Sequence, residues 1–241
     1  MIGYIRLELL RVVRDLTFVL FGIAMPVVMY LIFTNLGLAP GDEREVALYL
    51  MVSMAAYGGM GAAFNNGTGL GEDKALGWLR QLRLTPLRPV TVIAGKTVTG
   101  MAVVVPAIVA ILLAGTLING VSLSPGRWAA VICLLWAGTV PFTLFGLGNG
   151  YRLTGQAAGI ANFAAGMALA VVGGLWLPTD RFPGWLKAIS DWTPARAYAD
   201  LARDVAFGQA PTARAALILL GWLAVFGLYA MYGYRRAGER S

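Results

Sequence analysis

The sequence predicts an all-α integral membrane protein with six membrane-spanning helices, and three observations carry that reading. Of 241 residues, 58% are hydrophobic and 13% are charged, whereas soluble domains carry roughly a quarter charged residues. A chain so poor in charge, with a mean hydropathy of +0.70, cannot clothe itself in a water-facing surface. Its apolar residues gather into six runs long enough for a helix of about 20 residues to cross a hydrocarbon core. The Lys and Arg residues that flank those runs fall mainly on one side.

Taken in order, residues 1–15 come first. Ile5, Leu9, Val12 and Leu16 recur at helical spacing while Glu8, Arg11, Arg14 and Asp15 take the other face, which predicts an amphipathic helix lying in the membrane interface. The first span is predicted over 16–33. It reads as a span and not as a cleaved secretion signal, because Glu8 and Asp15 precede it and the small residues Gly37 and Ala39 are followed by Pro40. Further spans are predicted over 47–64, 90–118, 128–147, 157–177 and 213–234. With both termini on the inner side, 12 of the 19 Lys and Arg residues lie inside and seven of the 12 acids lie outside. The net charge is then +7 inside and zero outside, so both termini are expected to be cytoplasmic.

The segment at 67–89 is rich in signals. Gly67, Gly69 and Gly71 open it, Asp73 is placed to cap a helix with Glu72 at its positive end, and Thr85 and Pro86 close it after Arg80 and Arg83. Leu76, Leu79 and Leu82, with Trp78 beside them, give that short helix an apolar face for lipid or a protein groove to cover. Between the last two spans, 178–212 is expected to be external. It holds a short amphipathic piece from Phe182 to Ile189 containing Trp185, then a helix capped by Thr193, started by Pro194 and ended before Gly208. In that helix Tyr198, Leu201 and Val205 form an apolar stripe, with Arg196, Asp200, Arg203 and Asp204 elsewhere. Such a pair of helices serves either as an external gate dipping into the outer leaflet or as a solvated cap.

Several functions are excluded. The chain has no histidine, which removes imidazole metal ligands and Ser-His nucleophile systems. Cys133 is alone and reads as a small buried hydrophobe. Within the spans the one ionisable side chain is Lys96, near a membrane end. Gly95, Lys96 and Thr97 imitate the end of a phosphate-binding loop, but Val90 occupies the position of its first glycine and no strand precedes it. The pI of 9.9 reflects charges that flank spans, not a basic patch interleaved with aromatics, so no nucleic-acid partner is expected. Gly58, Gly59 and Gly61 in the second span, and Gly166, Gly173 and Gly174 in or after the fifth, permit close helix approach.

Together the amphipathic start, six spans, the acid-led helix running into Leu84-Thr-Pro-Leu87 and the external Leu177, Pro178, Phe182-Pro-Gly-Trp-Leu186, Pro194 pattern resemble the permease subunits of the ABC-2 family, which include bacterial drug, lipid and polysaccharide permeases. The resemblance spans nearly the whole chain. It implies a multi-pass protein of the bacterial inner membrane that pairs into a homodimer or heterodimer and binds two copies of an ABC ATPase. ATP and Mg would then belong to the partner, with no cofactor and no catalytic site in this chain. The 72–84 helix would be the coupling helix, with Trp78, Leu79 and Leu82 docked, Glu72 and Arg80 at the edge and Asp73 at the cap. The second and fifth spans would line the path, drawing on Met54, Met60, Asn65, Asn162, Phe163 and Met167. That mostly apolar set favours an amphipathic or lipid-like cargo. Trp185, Tyr198 and Leu201 would form the external gate. Three other readings stay open from sequence: an ion-coupled carrier or channel, which needs midplane charge or broken helices, an intramembrane enzyme, and a membrane scaffold.

Overall fold

Residues 19–35, 42–75 and 89–239 are described by the computed structural model, and no strand occurs among them. A π-helical turn, Val19–Ala24, leads into α1 (Met25–Asn35), followed by α2 (Glu43–Ala75), α3 (Pro89–Asn119), α4 (Pro125–Ala137), α5 (Val140–Arg152) and α6 (Gly155–Val172). A 3-10 turn (Thr179–Arg181), α7 (Gly184–Ser190), α8 (Pro194–Ala206) and α9 (Ala213–Glu239) complete the order. Among the described residues, five stretches are long and apolar enough to cross a membrane, and Gly22–Asn35 adds a shorter apolar helix. Together they make a multi-pass membrane protein. The predicted interfacial helix at 1–15 lies outside the described residues.

Local chemistry explains most boundaries. Ser124 accepts a hydrogen bond from the Arg127 amide at 3.4 Å and Pro125 opens α4. Thr154 caps α6 through the Ala157 amide. Thr193 caps α8 through the Arg196 amide, again with proline first, and Gly208 follows that helix at φ +81°, the left-handed conformation glycine adopts freely.

The core forms around α2. Its apolar window is 78% buried, against 22% for α6 and for α9, so α2 is the central helix and the other two present broad faces outward. Met51, Met54, Met60, Ile108, Ile111, Leu135, Phe142, Leu147 and Tyr198 are all fully buried. Phe64 meets Phe142 at 5.8 Å and Phe145 at 5.4 Å between ring centres, and Phe145 continues to Phe226 at 5.0 Å. An aromatic seam therefore joins α2, α5 and α9.

Four features correct or refine the expectations. First, α2 does not end near residue 64: it runs through Gly67, Gly69 and Gly71 to Ala75. Glycine normally costs helix stability, but here two of these glycines let backbones touch. A Cβ on Gly67 would strike the Gly146 carbonyl, and one on Gly71 would lie 2.8 Å from the Gly155 Cα. Asp73 consequently lies inside a helix and not at a cap.

Second, the fourth span is broken at Gly138 and Thr139 into α4 and α5. Pro141 lacks the N–H that a continuous helix would need there. The Thr139 amide turns to Trp136 O, and the freed Leu135 carbonyl accepts the Tyr198 hydroxyl at 2.7 Å.

Third, Arg203, set off the apolar stripe of its helix by sequence, is itself turned inward. It is 7% exposed, with its guanidinium 4.6 Å from the Tyr49 ring centre and Nη1 3.4 Å from Ser53 Oγ. Fourth, Cys133 is exposed on α4, on a side that lipid is free to cover.

Candidate functional site

A groove of about 480 Å³ runs between α2 and α6 and is closed at one end by the π-helical turn and α1. From α2 it takes Tyr57, Gly58, Gly61, Phe64, Asn65 and Thr68; from α6 it takes Gly159, Asn162, Phe163, Gly166 and Met167; Gly22, Met25 and Pro26 close it. The spacing along each helix follows one face, at steps of three and four. Among the described residues, no charged side chain lines it. The wall is apolar with a few amide and hydroxyl groups, a surface suited to an amphipathic molecule.

Small residues make the groove. Nothing lies within 4 Å of where a Gly61 Cβ would stand, so this glycine opens space. Gly58 and Gly59 do the opposite and let α2 close on Ile111, Ile108 and Tyr198, while a Cβ on Gly166 would come 3.2 Å from the Phe64 ring. Gly173 packs on Ala195, and Gly174 turns the chain after α6 at φ +70°.

The polar groups of the wall are held by a ladder across four helices. The Asn162 amide donates to the Phe64 carbonyl at 2.9 Å and lies 3.4 Å from Thr68 Oγ1. The Asn149 amide donates to Asn162 Oδ1 at 2.7 Å, and the Tyr229 hydroxyl donates to Asn149 Oδ1 at 2.6 Å. Asn149 and Asn162 are both buried. In a setting without water, such satisfied amides fix helix register.

The residues named from sequence are placed as follows. Asn65, Asn162, Phe163 and Met167 lie together on the groove, with Asn65 and Phe163 exposed to it. Met54 and Met60 are fully buried in the core and do not reach it. Tyr57, Thr68 and Gly159 were not singled out, although their step from Gly61, Phe64, Asn162 and Phe163 was readable as a helical stripe. Trp185 is 68% exposed on α7, whereas Tyr198 and Leu201 are buried on α8, so the three do not share one exposed face. Tyr198 instead wedges between Gly59, near the middle of α2, and Gly138 at the break between α4 and α5.

At the groove's far end, Glu72 is exposed and lies against the first turn of α6: a Cβ on Gly155 would come 2.7 Å from Glu72 Cγ. A carboxylate there complements the positive helix end. Trp78, Leu79, Arg80 and Leu82 lie outside the described residues, in the segment that α2 leads into. At the opposite end a charge network ties α7, α8 and α9 together. Arg196 pairs with Asp191 at 2.6 Å and with Asp200 at 3.4 Å, Arg203 pairs with Asp200 at 2.5 Å, and Arg214 lies 3.9 Å from Asp191. Asp204, grouped with Asp200 by sequence spacing, accepts instead from the Thr212 amide and hydroxyl at 2.9 and 2.6 Å.

Comparison with known proteins agrees with this architecture. The sequence profile described as ABC-2 type transporter matches residues 4–207. The chain is 31% identical over 235 residues to YvfS of Bacillus subtilis (strain 168), whose name describes it as a transport permease, covering 95% of this chain and 94% of that protein. Permeases of this family normally pair with an ABC ATPase. An all-helical bundle with long apolar helices, matched over most of its length by that profile, belongs to the ABC-2 type transporter family.

Proposed function

We propose that this chain is the permease subunit of an ATP-driven exporter in a bacterial cell membrane, with both termini cytoplasmic, and that it moves an amphipathic, lipid-like or drug-like molecule along the face between α2 and α6. The observation that carries the reading is the uncharged groove on those two helices, which ends where α2 continues toward residues 76–88. Two permease chains facing each other across α2 and α6 would enclose it as a path. ATP and Mg belong to two separate ATPase subunits, which dock on the segment carrying Trp78, Leu79 and Leu82, with Glu72, Asp73 and Arg80 at its margin.

Movement has a physical route in this arrangement. When the ATPases close on ATP, the docked segment shifts the end of α2, and the Gly71 to Gly155 contact passes that shift to α6. Both walls of the groove then move. The free energy comes from the different nucleotide affinities of the two states. The break between α4 and α5 is of the kind an ion-coupled carrier uses, but its freed carbonyl is already filled by the Tyr198 hydroxyl, which favours a packing role.

The test is capture of an ABC ATPase, taken from any encoded beside this chain. In a lipid-reconstituted sample the chain alone is inert, the wild type co-purifies with the ATPase, and Trp78→Glu or Leu82→Glu abolishes capture while the protein stays inserted. Normal capture by both variants would overturn the docking assignment.

A further inference from the structure

At the end of the bundle where α2, α5 and α9 finish, two guanidinium groups share one aromatic wall. Arg152, the last residue of α5, lays its stem across Gly233, where an added Cβ would come 3.3 Å from Arg152 Cγ. This puts its guanidinium 5.4 Å from the Tyr229 ring centre and 5.7 Å from that of Tyr232. Arg236, one turn further along α9, stands 5.0 Å from the same Tyr232 ring. Ring contact engages the flat face of a guanidinium and leaves the N–H donors along its edge available, in the fork geometry that fits a phosphate.

No carboxylate pairs with Arg152 or Arg236 among the described residues, whereas Arg196, Arg203 and Arg214 at the opposite end each have Asp191 or Asp200 as a partner. Two cations beside one ring repel each other unless an anion lies between them. Both are exposed. Tyrosine with arginine at the end of an apolar helix marks the membrane interface, and the anions fixed at that depth are phospholipid headgroups. Below Tyr232, the face of α9 continues through Leu228, 72% exposed, and Val225, 53% exposed, a surface along which acyl chains can lie.

We propose that Arg152, Arg236 and Tyr232 form a binding site for the phosphate headgroup of an anionic phospholipid. In the topology given above this is the cytoplasmic leaflet, next to the segment that docks the ATPase. The binding itself depends on neither the ATPase nor transport, so it is testable apart from that reading.

The experiment uses the full chain in detergent. Phosphatidylglycerol, phosphatidylcholine and inorganic phosphate are titrated separately, with thermal unfolding and native mass spectrometry as readouts. The wild type retains phosphatidylglycerol and is stabilised by it, but not by the other two. Arg152→Gln with Arg236→Gln weakens that binding by about tenfold or more, roughly 1.4 kcal/mol, while Arg214→Gln at the other end leaves it unchanged. Since the Arg152 stem packs on Gly233, Arg236→Gln alone serves if the double variant does not fold, with a smaller loss in the same direction. Phosphatidylglycerol binding equal to wild type in these variants would overturn the proposal. Equal stabilisation by inorganic phosphate would also overturn it, because the site would then take free anions and not lipid.

Discussion

Asn162 is a residue whose contacts decide its role. Its amide donates to the Phe64 carbonyl and its oxygen accepts from Asn149, so Asn162→Ala removes two buried hydrogen bonds and leaves the Asn149 amide without its acceptor. Between membrane helices such bonds average somewhat under 1 kcal/mol; because two are lost, thermal unfolding in detergent should show a destabilisation of about 1 kcal/mol. Arg203 sets a second case. Substitution to Lys keeps the charge but loses the planar stacking on Tyr49 and the fork to Asp200 and Ser53, so Arg203→Lys should lower the unfolding temperature nearly as far as Arg203→Met. Rescue of stability by lysine would show that charge alone suffices. The family resemblance put Asn162 on the path, and the geometry gives it both packing contacts and a place on the wall. The burial of Arg203 was not readable from the stripe of large side chains on α8, because Ala195, Ala199, Ala202 and Ala206, all essentially buried, define a second inward face of small residues that Arg203 adjoins.

At the scale of elements, the caps and stops of α8 were legible because threonine, proline and glycine have position-specific backbone roles. The break between α4 and α5 was hidden, since apolarity continues across it and only Pro141 marks it. Tyr198→Phe removes the hydroxyl that fills the Leu135 carbonyl and leaves that acceptor buried; the expected cost is about 1–2 kcal/mol, measurable by thermal unfolding. The crossing of α2 and α5 is tighter still. A Cβ on Gly146 would come 2.8 Å from the Phe64 carbonyl oxygen and 3.1 Å from its Cα, and backbone cannot yield as a side chain can. Gly146→Ala should therefore destabilise by about 2 kcal/mol, whereas Gly126→Ala, with open space around it, should fold as wild type. The same crossing explains why α2 was read too short: glycines that open a loop in water serve as contact points inside a membrane.

Across the whole molecule, the all-helical, multi-pass character was readable from hydropathy and charge, because a bilayer imposes length and polarity on every helix that crosses it. Which faces of those helices point inward was not readable, since all faces are apolar. Met54 and Met60 were drawn to the path by type, yet they fill the core, and Gly61, named for packing, opens the groove instead. The central claim is that this groove carries cargo at the expense of ATP bound by a partner. Its most direct test is ATP-driven movement of an amphipathic fluorescent probe in proteoliposomes holding the chain and its ATPase, comparing wild type with Gly61→Leu. The leucine enters open space, so stability should stay within about 0.5 kcal/mol of wild type and ATPase capture should persist, while probe transport falls sharply. Unchanged transport with leucine filling the groove would contradict the claim.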